Sequence, residues 1–367
     1  MRPTRWLVPS LTAAILGLAA CGGGAAPAST APASSPAPAS VAASAAASAK
    51  PAASAAASAS AAAKPAASGA ASGAASAKPA ASGAASAAAS GAAGAKPTVT
   101  IGSTNFSEQL VLGELYAQVL ESNGYKVNRQ FNLGTREIVQ PALESGKIDM
   151  DAEYLATLLV FVDKNAKAST DPAETSKALQ AALTPKKLTV LQYAPAVDTN
   201  GFAVTKATAD KSNLKKLSDL APVASQMVLG GAPECPQRPF CLPGLQQTYG
   251  LKFKDFKPLD TGGPITVQAL DSNQVQVGEL FTTDAQITAH NFVLLDDDKH
   301  LQLSDNVAPV IRTDVLTQAP EIKTLIDAIA PKLTTAELTG LNKQVGVDKK
   351  EPKDVAAAWL KANGLVK

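Results

Sequence analysis

The chain has 367 residues, and its composition changes sharply near residue 97. Residues 1–97 hold six basic side chains and no acidic one, whereas residues 98–367 hold 27 basic and 31 acidic side chains. The basic character of the sequence therefore belongs to its first part, and the negative charge of the remainder argues against binding to nucleic acid.

The first 21 residues have the layout of a secretory signal. Arg2 and Arg5 precede an apolar run, residues 7–20, that is too short for a stable transmembrane helix. The run ends Leu-Ala-Ala-Cys, which matches the lipobox of bacterial lipoproteins, where a diacylated cysteine becomes the new N-terminus. Because two acyl chains give stable anchoring, we expect Cys21 to tether an exported protein to the cell membrane. The alternative is an ordinary signal with an incidental cysteine.

Residues 22–97 consist almost entirely of Ala, Ser, Pro and Gly with isolated lysines. Such a segment has no large apolar side chains to bury, and its repeated Pro and Gly break helices. We predict a disordered tether here, with a folded Ala-rich repeat as the alternative.

Beyond residue 97 the pattern becomes that of an α/β protein. Residues 98–102 alternate like a strand, and Asn105 followed by Glu108 predicts a capping box for the first helix. Gly124 is predicted to end that helix. A second strand at 127–132, a second helix and a third strand then predict right-handed βαβ units and a largely parallel sheet.

The strand–helix–strand pattern recurs between residues 227 and 280, which predicts a second lobe. Two α/β lobes joined by two crossovers form a hinged cleft that can close around a small ligand. We expect lobe one to comprise residues 98–205 and 291–367, and lobe two residues 206–290.

Cys235 and Cys241 enclose a five-residue loop in a chain predicted to be exported. A disulfide is the simplest interpretation, because a metal site needs more ligands and His290 and His300 lie far away in sequence. We therefore expect a disulfide and no metal.

The stretch of residues 146–157 is the first candidate for a binding site. Here a helix ends at Gly146 and an apolar strand delivers Asp149, Asp151 and Tyr154. Ligands of open α/β sheets bind at such strand ends, so these side chains are predicted to face a cleft.

Six segments, in order, resemble the quaternary-amine (glycine betaine, choline, carnitine) substrate-binding proteins of ABC importers. The resemblance covers essentially all of residues 99–365, and the cysteine loop is similar to a cysteine-bearing subgroup. It implies a two-lobed, periplasmic-binding-protein-like type II fold, no catalysis, no cofactor, and delivery of an osmoprotectant to a membrane permease by a monomer. The six segments are 102–109, 132–135, 146–154, 278–284, 294–300 and 306–312.

The resemblance also implies an aromatic cage, because a quaternary ammonium donates no N–H hydrogen bond and is held by cation–π attraction. Asp151 stands where the family usually has Tyr. A carboxylate there would attract a cation directly and favour choline over zwitterionic glycine betaine, unless Asp151 turns to solvent. The residues assigned to the ligand are Asn105, Phe106, Gln109, Thr135, Asp149, Asp151, Tyr154, Asn200, Phe281, Thr282 and Asp284.

Several of these residues also have structural interpretations. Tyr154 and Phe281 can belong to the core, Asp149 can be structural, and Asp284 can cap a helix beginning at Ala285. Two other function classes stay open. An enzyme lacks support, since the sequence has no Gly-x-Ser-x-Gly elbow, P-loop or metal-ligand spacing. A sensory or adhesive lipoprotein would use the same fold without transport.

Overall fold

A computed structural model describes residues 96–367 of the chain. The predicted signal, the Cys21 anchor and nearly all of the predicted tether lie outside the described residues. Within residues 96–367, none of the helices is long and apolar enough to cross a membrane.

Ten β-strands and twelve α-helices form the described part. The strands are β1 Thr98–Gly102, β2 Lys126–Gln130, β3 Met150–Tyr154, β4 Leu188–Val190, β5 Asn200–Thr205, β6 Val228–Gly231, β7 Asp255–Pro258, β8 Val277–Phe281, β9 Phe292–Leu294 and β10 Val307–Arg312. The helices are α1 Ser107–Ser122, α2 Arg136–Glu144, α3 Leu155–Val162, α4 Pro172–Leu183, α5 Lys206–Ser212, α6 Leu242–Tyr249, α7 Pro264–Asp271, α8 Gln286–Ala289, α9 Thr313–Gln318, α10 Glu321–Asp327, α11 Thr335–Gly346 and α12 Pro352–Ala362.

The strands make two five-stranded sheets of matching design, one in each lobe. The first has the order β2-β1-β3-β10-β4 and the second β7-β6-β8-β5-β9. In each sheet the first three strands are parallel, as the βαβ pattern predicts, and the remaining two pair antiparallel. The predicted α/β fold of two lobes is confirmed.

The predicted lobe boundaries need correction. Strand β5 pairs with β8 on one side and with β9 on the other, so both β5 and β9 belong to the second sheet. Lobe two therefore includes residues 200–205 and 292–294, which the sequence interpretation had placed in lobe one. The physical reason is that a strand's sheet is decided by long-range pairing, which local alternation does not encode.

The two connections between the lobes run side by side. Val197 forms an antiparallel bridge with Asn306, and the Asp198 N–H donates to the Asp305 carbonyl at 3.1 Å. The hinge therefore consists of two hydrogen-bonded chain segments, residues 196–199 and 305–307. Asp198 and Asp305 lie directly in it.

Helix α1 is the central helix of lobe one and packs against α10, α11 and α12. Its apolar face is buried, and Gly124 follows its end with a φ of 81°, as predicted. The predicted capping box is wrong. Phe106 occupies the N-cap position without a side-chain hydrogen bond, and Glu108 is buried between the lobes instead.

Candidate functional site

A cleft of about 810 Å³ separates the two lobes. Its volume is within the range of about 300–1,000 Å³ that is typical of small-molecule sites. The end of β3 and the start of α1 form one wall, and the start of β5, the end of β8 and the Cys235–Cys241 loop form the other. Both lobes therefore contribute side chains to one enclosed space.

Three aromatic rings from different elements lie together on the cleft wall. The ring of Phe106 stacks on Phe281 with centroids 5.1 Å apart, and on Tyr154 with centroids 6.4 Å apart. Phe106 thus connects Tyr154 of lobe one to Phe281 of lobe two. Phe161 and Phe240 add two further rings elsewhere on the lining. Aromatic faces of this kind attract cations.

Polar atoms without partners face the same cleft. The side-chain oxygens Gln109 Oε1 and Thr104 Oγ1 are buried and accept no hydrogen bond within the described chain. Asn105 and Thr135 also line the cleft, and Asn200 does so while donating to the Phe240 carbonyl at 3.0 Å. Because unpaired buried polar atoms are unfavourable, Gln109 and Thr104 are suited to contact a ligand.

A buried ion pair supports the wall around Tyr154. Arg136 Nε donates to Glu153 Oε1 at 2.8 Å, and Nη2 of the same guanidinium donates to Glu153 Oε2 and, at 3.0 Å, to Thr157 Oγ1. Both side chains of the pair are more than nine-tenths buried. The paired geometry fixes the first turn of α2 against the end of β3.

Two buried aspartates from the hinge face the cleft. Burial raises the pKa of Asp305 to about 6, although the Thr157 N–H donates to its carboxyl at 2.9 Å. Burial also raises the pKa of Asp198 well above its ordinary value, and the nearby Glu108 raises it further. A cation in the cleft would stabilise the ionised form of both carboxyls.

The loop closed by Cys235 and Cys241 forms part of the lobe-two wall. The two sulfurs are bonded, which confirms the predicted disulfide. Arg238 at the tip of this loop donates to Glu137 of α2 at 3.0 Å, so an ion pair bridges the lobes at the mouth of the cleft. The cross-link therefore holds a contact between the two lobes in place.

Glu279 of β8 lies beneath the disulfide. Its Oε2 accepts from the Ala232 N–H at 3.0 Å, and its Oε1 lies 3.0 Å from Cys241 Sγ. A disulfide sulfur carries no proton, so this contact favours the protonated carboxyl. Burial raises the pKa of Glu279 from 4.5 to about 7.

Glu279→Gln is expected to remove a pH-dependent loss of stability. As pH rises above 4.5 the unfolded chain ionises Glu279 while the folded chain keeps it protonated, until pH about 7 is reached. The wild type should therefore lose about 3 kcal/mol relative to the variant across this window. Urea unfolding of both proteins at several pH values, with the disulfide intact, measures the difference. A difference that does not change with pH would contradict the expectation.

Comparisons with known proteins identify the family. Residues 97–362 match the model described as the substrate binding domain of ABC-type glycine betaine transport systems. The chain belongs to this family. It is 30% identical over 280 residues to a glycine-betaine-binding protein of Pseudomonas aeruginosa, covering 73% of this chain and 89% of that protein.

Two further relatives widen the comparison. An ergothioneine transport permease/ergothioneine binding protein of Helicobacter pylori is 29% identical over 273 residues, covering 74% of this chain and 48% of that protein. A crystal structure described as a glycine betaine/carnitine/choline ABC transporter superposes with a TM-score of 0.59 at 28% identity, covering 73% of this chain and 99% of that chain. As a member of this family the chain is a substrate-binding domain and not an enzyme.

Seven of the eleven residues predicted for this substrate-binding site lie on the cleft. That they contact a ligand stays a prediction. They are Asn105, Phe106, Gln109, Thr135, Tyr154, Asn200 and Phe281.

Asp149 and Asp151 are not on the cleft. Asp149 precedes β3, at the end of the strand opposite Tyr154, where it accepts from the Thr100 N–H at 2.8 Å. Asp151 is fully buried, with both oxygens unpaired within residues 96–367. Burial raises its pKa well above the ordinary value, and Glu153 adds to the effect while Arg136 opposes it. The expected placement of Asp151 on the cleft is wrong, because its side chain is buried away from the lining residues.

Thr282 and Asp284 also lie off the main cleft. Thr282 is exposed and accepts from the Thr199 N–H at 3.0 Å, so it belongs to the hinge. The Asp284 carboxyl accepts a hydrogen bond at 2.8 Å from the N–H of Gln286, which is the first residue of α8. Asp284 also lines a smaller neighbouring cavity. This hydrogen bond agrees with the alternative prediction, in which Asp284 caps the helix that follows it.

Sequence reasoning missed the charged residues at the centre of the site. Asp198 and Asp305 occur in no recognisable motif, and their place follows from the pairing of the two hinge segments. Glu108 lies in the first of the six similar segments, but its position three residues after Asn105 predicts a capping role instead. Arg136 could have been found by noting that Thr135 opens α2 directly beside the predicted ligand wall.

Proposed function

We propose that this protein captures a quaternary-amine solute between its lobes and delivers it to the permease of an ABC importer. The observation that carries the proposal is the joint presence of three stacked aromatic rings and two buried hinge aspartates on one cleft. Aromatic faces hold methylated ammonium groups, and carboxylates supply the opposite charge without requiring an N–H donor from the ligand.

The same cleft offers groups for the other end of a zwitterionic amine. Lys164 and Lys167, in the loop between α3 and α4, line its mouth, as does Arg238. A carboxylate such as that of glycine betaine or carnitine is complementary to these cations. The volume of about 810 Å³ also accommodates larger betaines, and one relative is named as an ergothioneine binding protein.

Contact with a permease is supported by two exposed apolar side chains. Ile138 of α2 and Ile265 of α7 are each more than half exposed. The helices α2 and α7 follow the corresponding edge strands of the two sheets, β2 and β7. One exposed isoleucine on each lobe suits a partner that contacts both lobes at once.

The predicted location is extracytoplasmic, with the chain anchored to the cell membrane through lipid on Cys21 and acting as a monomer. The Cys235–Cys241 disulfide supports export, because disulfides persist in oxidising compartments. Metabolic labelling with a fatty-acid analogue tests the anchor: Cys21→Ala should lose the label.

Calorimetry with choline, glycine betaine, carnitine, proline betaine and ergothioneine tests the proposed function. At least one should bind with a single site per chain. Absence of binding heat from all five, at two temperatures, would overturn the proposal. A sensory or adhesive protein would bind a solute without transport, so uptake of the bound solute by cells with and without this gene separates the two functions.

A further inference from the structure

A chain of buried polar groups behind the aromatic rings joins the two lobes. The Tyr154 hydroxyl donates to Glu108 Oε1, and Asn342 Nδ2 of α11 donates to Glu108 Oε2 at 2.6 Å. Thr283 follows β8 in lobe two, and its hydroxyl lies 2.7 Å from the same Glu108 Oε2. It also lies 2.8 Å from Asp198 Oδ1 in the hinge.

The number of protons in this chain constrains its charge. Thr283 Oγ1 carries one hydrogen and can donate it to one carboxylate only. Both contacts are hydrogen bonds only if the other carboxyl is protonated and donates to Thr283 Oγ1. Two ionised carboxylates joined by one hydroxyl would leave unpaired like charges in a buried place, which is strongly unfavourable.

The hydrogen-bond donors indicate which carboxyl holds the proton. Apart from the Thr283 hydroxyl, which lies between the two carboxyls, Glu108 receives two short side-chain donors, from Tyr154 at 2.5 Å and from Asn342 at 2.6 Å. Asp198 receives the Thr283 N–H at 3.0 Å and a longer contact from Thr282 Oγ1 at 3.3 Å. Because donors stabilise an ionised carboxylate, Glu108 is the carboxylate and Asp198 is the acid.

We propose that Glu108 and Asp198 share one proton through Thr283, and that capture of a cation in the cleft releases this proton from Asp198 to solvent. The release rests on the proposed function, since Asp198 lines both the main cleft and the small cavity behind the rings. A cation bound beside Asp198 neutralises the charge of its carboxylate, which the proton neutralises in the free protein. Glu108 and Thr283 then act as positioning residues, holding Tyr154 and the two lobes together.

Other ionisable groups surround the pair. None of them shares a hydrogen bond with both carboxyls. They are Tyr116 on α1, Tyr154 on β3, Arg136 on α2, Asp284 after β8, Asp305 in the second hinge segment, and Asp260 and Lys349 on the small cavity. Burial raises the pKa values of Asp284 and Asp305 to about 6, so at about pH 7.5 each retains only a small fraction of its proton.

Calorimetry with choline and with glycine betaine, at about pH 7.5 in buffers of different ionisation enthalpy, counts the released protons. We expect roughly one proton per ligand, and affinity that weakens by up to about tenfold for each unit of falling pH. Asp198→Asn, which copies the neutral acid and donates N–H to Thr283, should release no proton and bind with little pH dependence. The matched control Asp284→Asn alters a nearby aspartate that lines the small cavity but not the main cleft, and it should still release the proton.

Binding without proton release, or release that persists in Asp198→Asn, would overturn this inference while leaving the proposed function intact. Absence of binding by any amine would remove the proposed function and the coupled release together. The shared proton is tested separately in the ligand-free protein by carboxyl ¹³C NMR. A protonated aspartate carboxyl shift at about pH 7.5 should disappear in Asp198→Asn, whereas a protonated signal from the buried Asp151 should remain; a spectrum that Asp198→Asn leaves unchanged contradicts the proton sharing.

Discussion

Replacing Arg136 by methionine is expected to lower the free energy of unfolding by about 3–5 kcal/mol. The guanidinium makes three hydrogen bonds to Glu153, and the two side chains are 8% and 2% exposed. Methionine fills similar space but leaves the Glu153 charge buried without its partner. Since domains of this kind are stable by about 5–15 kcal/mol, this is a large share of the total. Urea unfolding at neutral pH measures it.

Two companion variants make the Arg136 result specific. Lys206→Met breaks an exposed ion pair, Lys206 with Asp210, whose side chains are 56% and 63% exposed, and should change stability by less than about 1 kcal/mol. Adding Glu153→Leu to Arg136→Met removes the stranded charge and should restore most of the loss. If Arg136→Met is as stable as the wild type, the Arg136–Glu153 ion pair is not buried away from water.

Tyr154→Ala is expected to weaken binding of a quaternary amine by at least about 100-fold, or about 3 kcal/mol. The substitution removes a ring from the cleft wall, ends its stacking on Phe106, and withdraws the hydroxyl that donates to Glu108. The lost cation–π attraction weakens ligand binding, and the buried Glu108 carboxylate, left without the tyrosine donor, adds to this loss. Calorimetric titration with the tightest ligand of the panel measures the change.

Tyr154→Phe separates the two contributions. It keeps the ring in the cleft and removes only the hydroxyl. Ligand affinity should therefore fall by less than about tenfold, while the number of protons released per bound ligand changes. Wild-type affinity in Tyr154→Ala would show that the ring takes no part in holding the ligand. Equal losses in both variants would assign the effect to Glu108 instead.

The sequence was sufficient for the parts of the fold that depend on local pattern. The apolar stripe of α1, the stop at Gly124 and the βαβ order of the first three strands all follow from spacing. The disulfide followed from two cysteines near each other in an exported chain. The sheet positions of β5 and β9 did not follow from spacing, because β5 pairs with β8 and with β9 across about 75–90 positions of the chain.

The error at Asp151 has a simple physical origin. Strand β3 lies between β1 and β10, so both of its edges are paired, and all five of its residues are buried. A buried strand does not show which face is which. Asp151 is the second residue of β3, whereas Tyr154 is the last and borders the cleft together with Ala152 and Glu153. Position along the strand, and not the face to which a side chain points, separates the two residues.

The sheet orders impose a sequence of events on a chain that emerges from its N-terminus. All five strands of lobe two lie between residues 200 and 294, so its sheet can be completed as soon as that segment is available. The lobe-one sheet lacks an inner strand until β10, residues 307–312, arrives between β3 and β4. Because each segment can fold once its partners are available, lobe two can complete its sheet before lobe one, although the chain begins in lobe one.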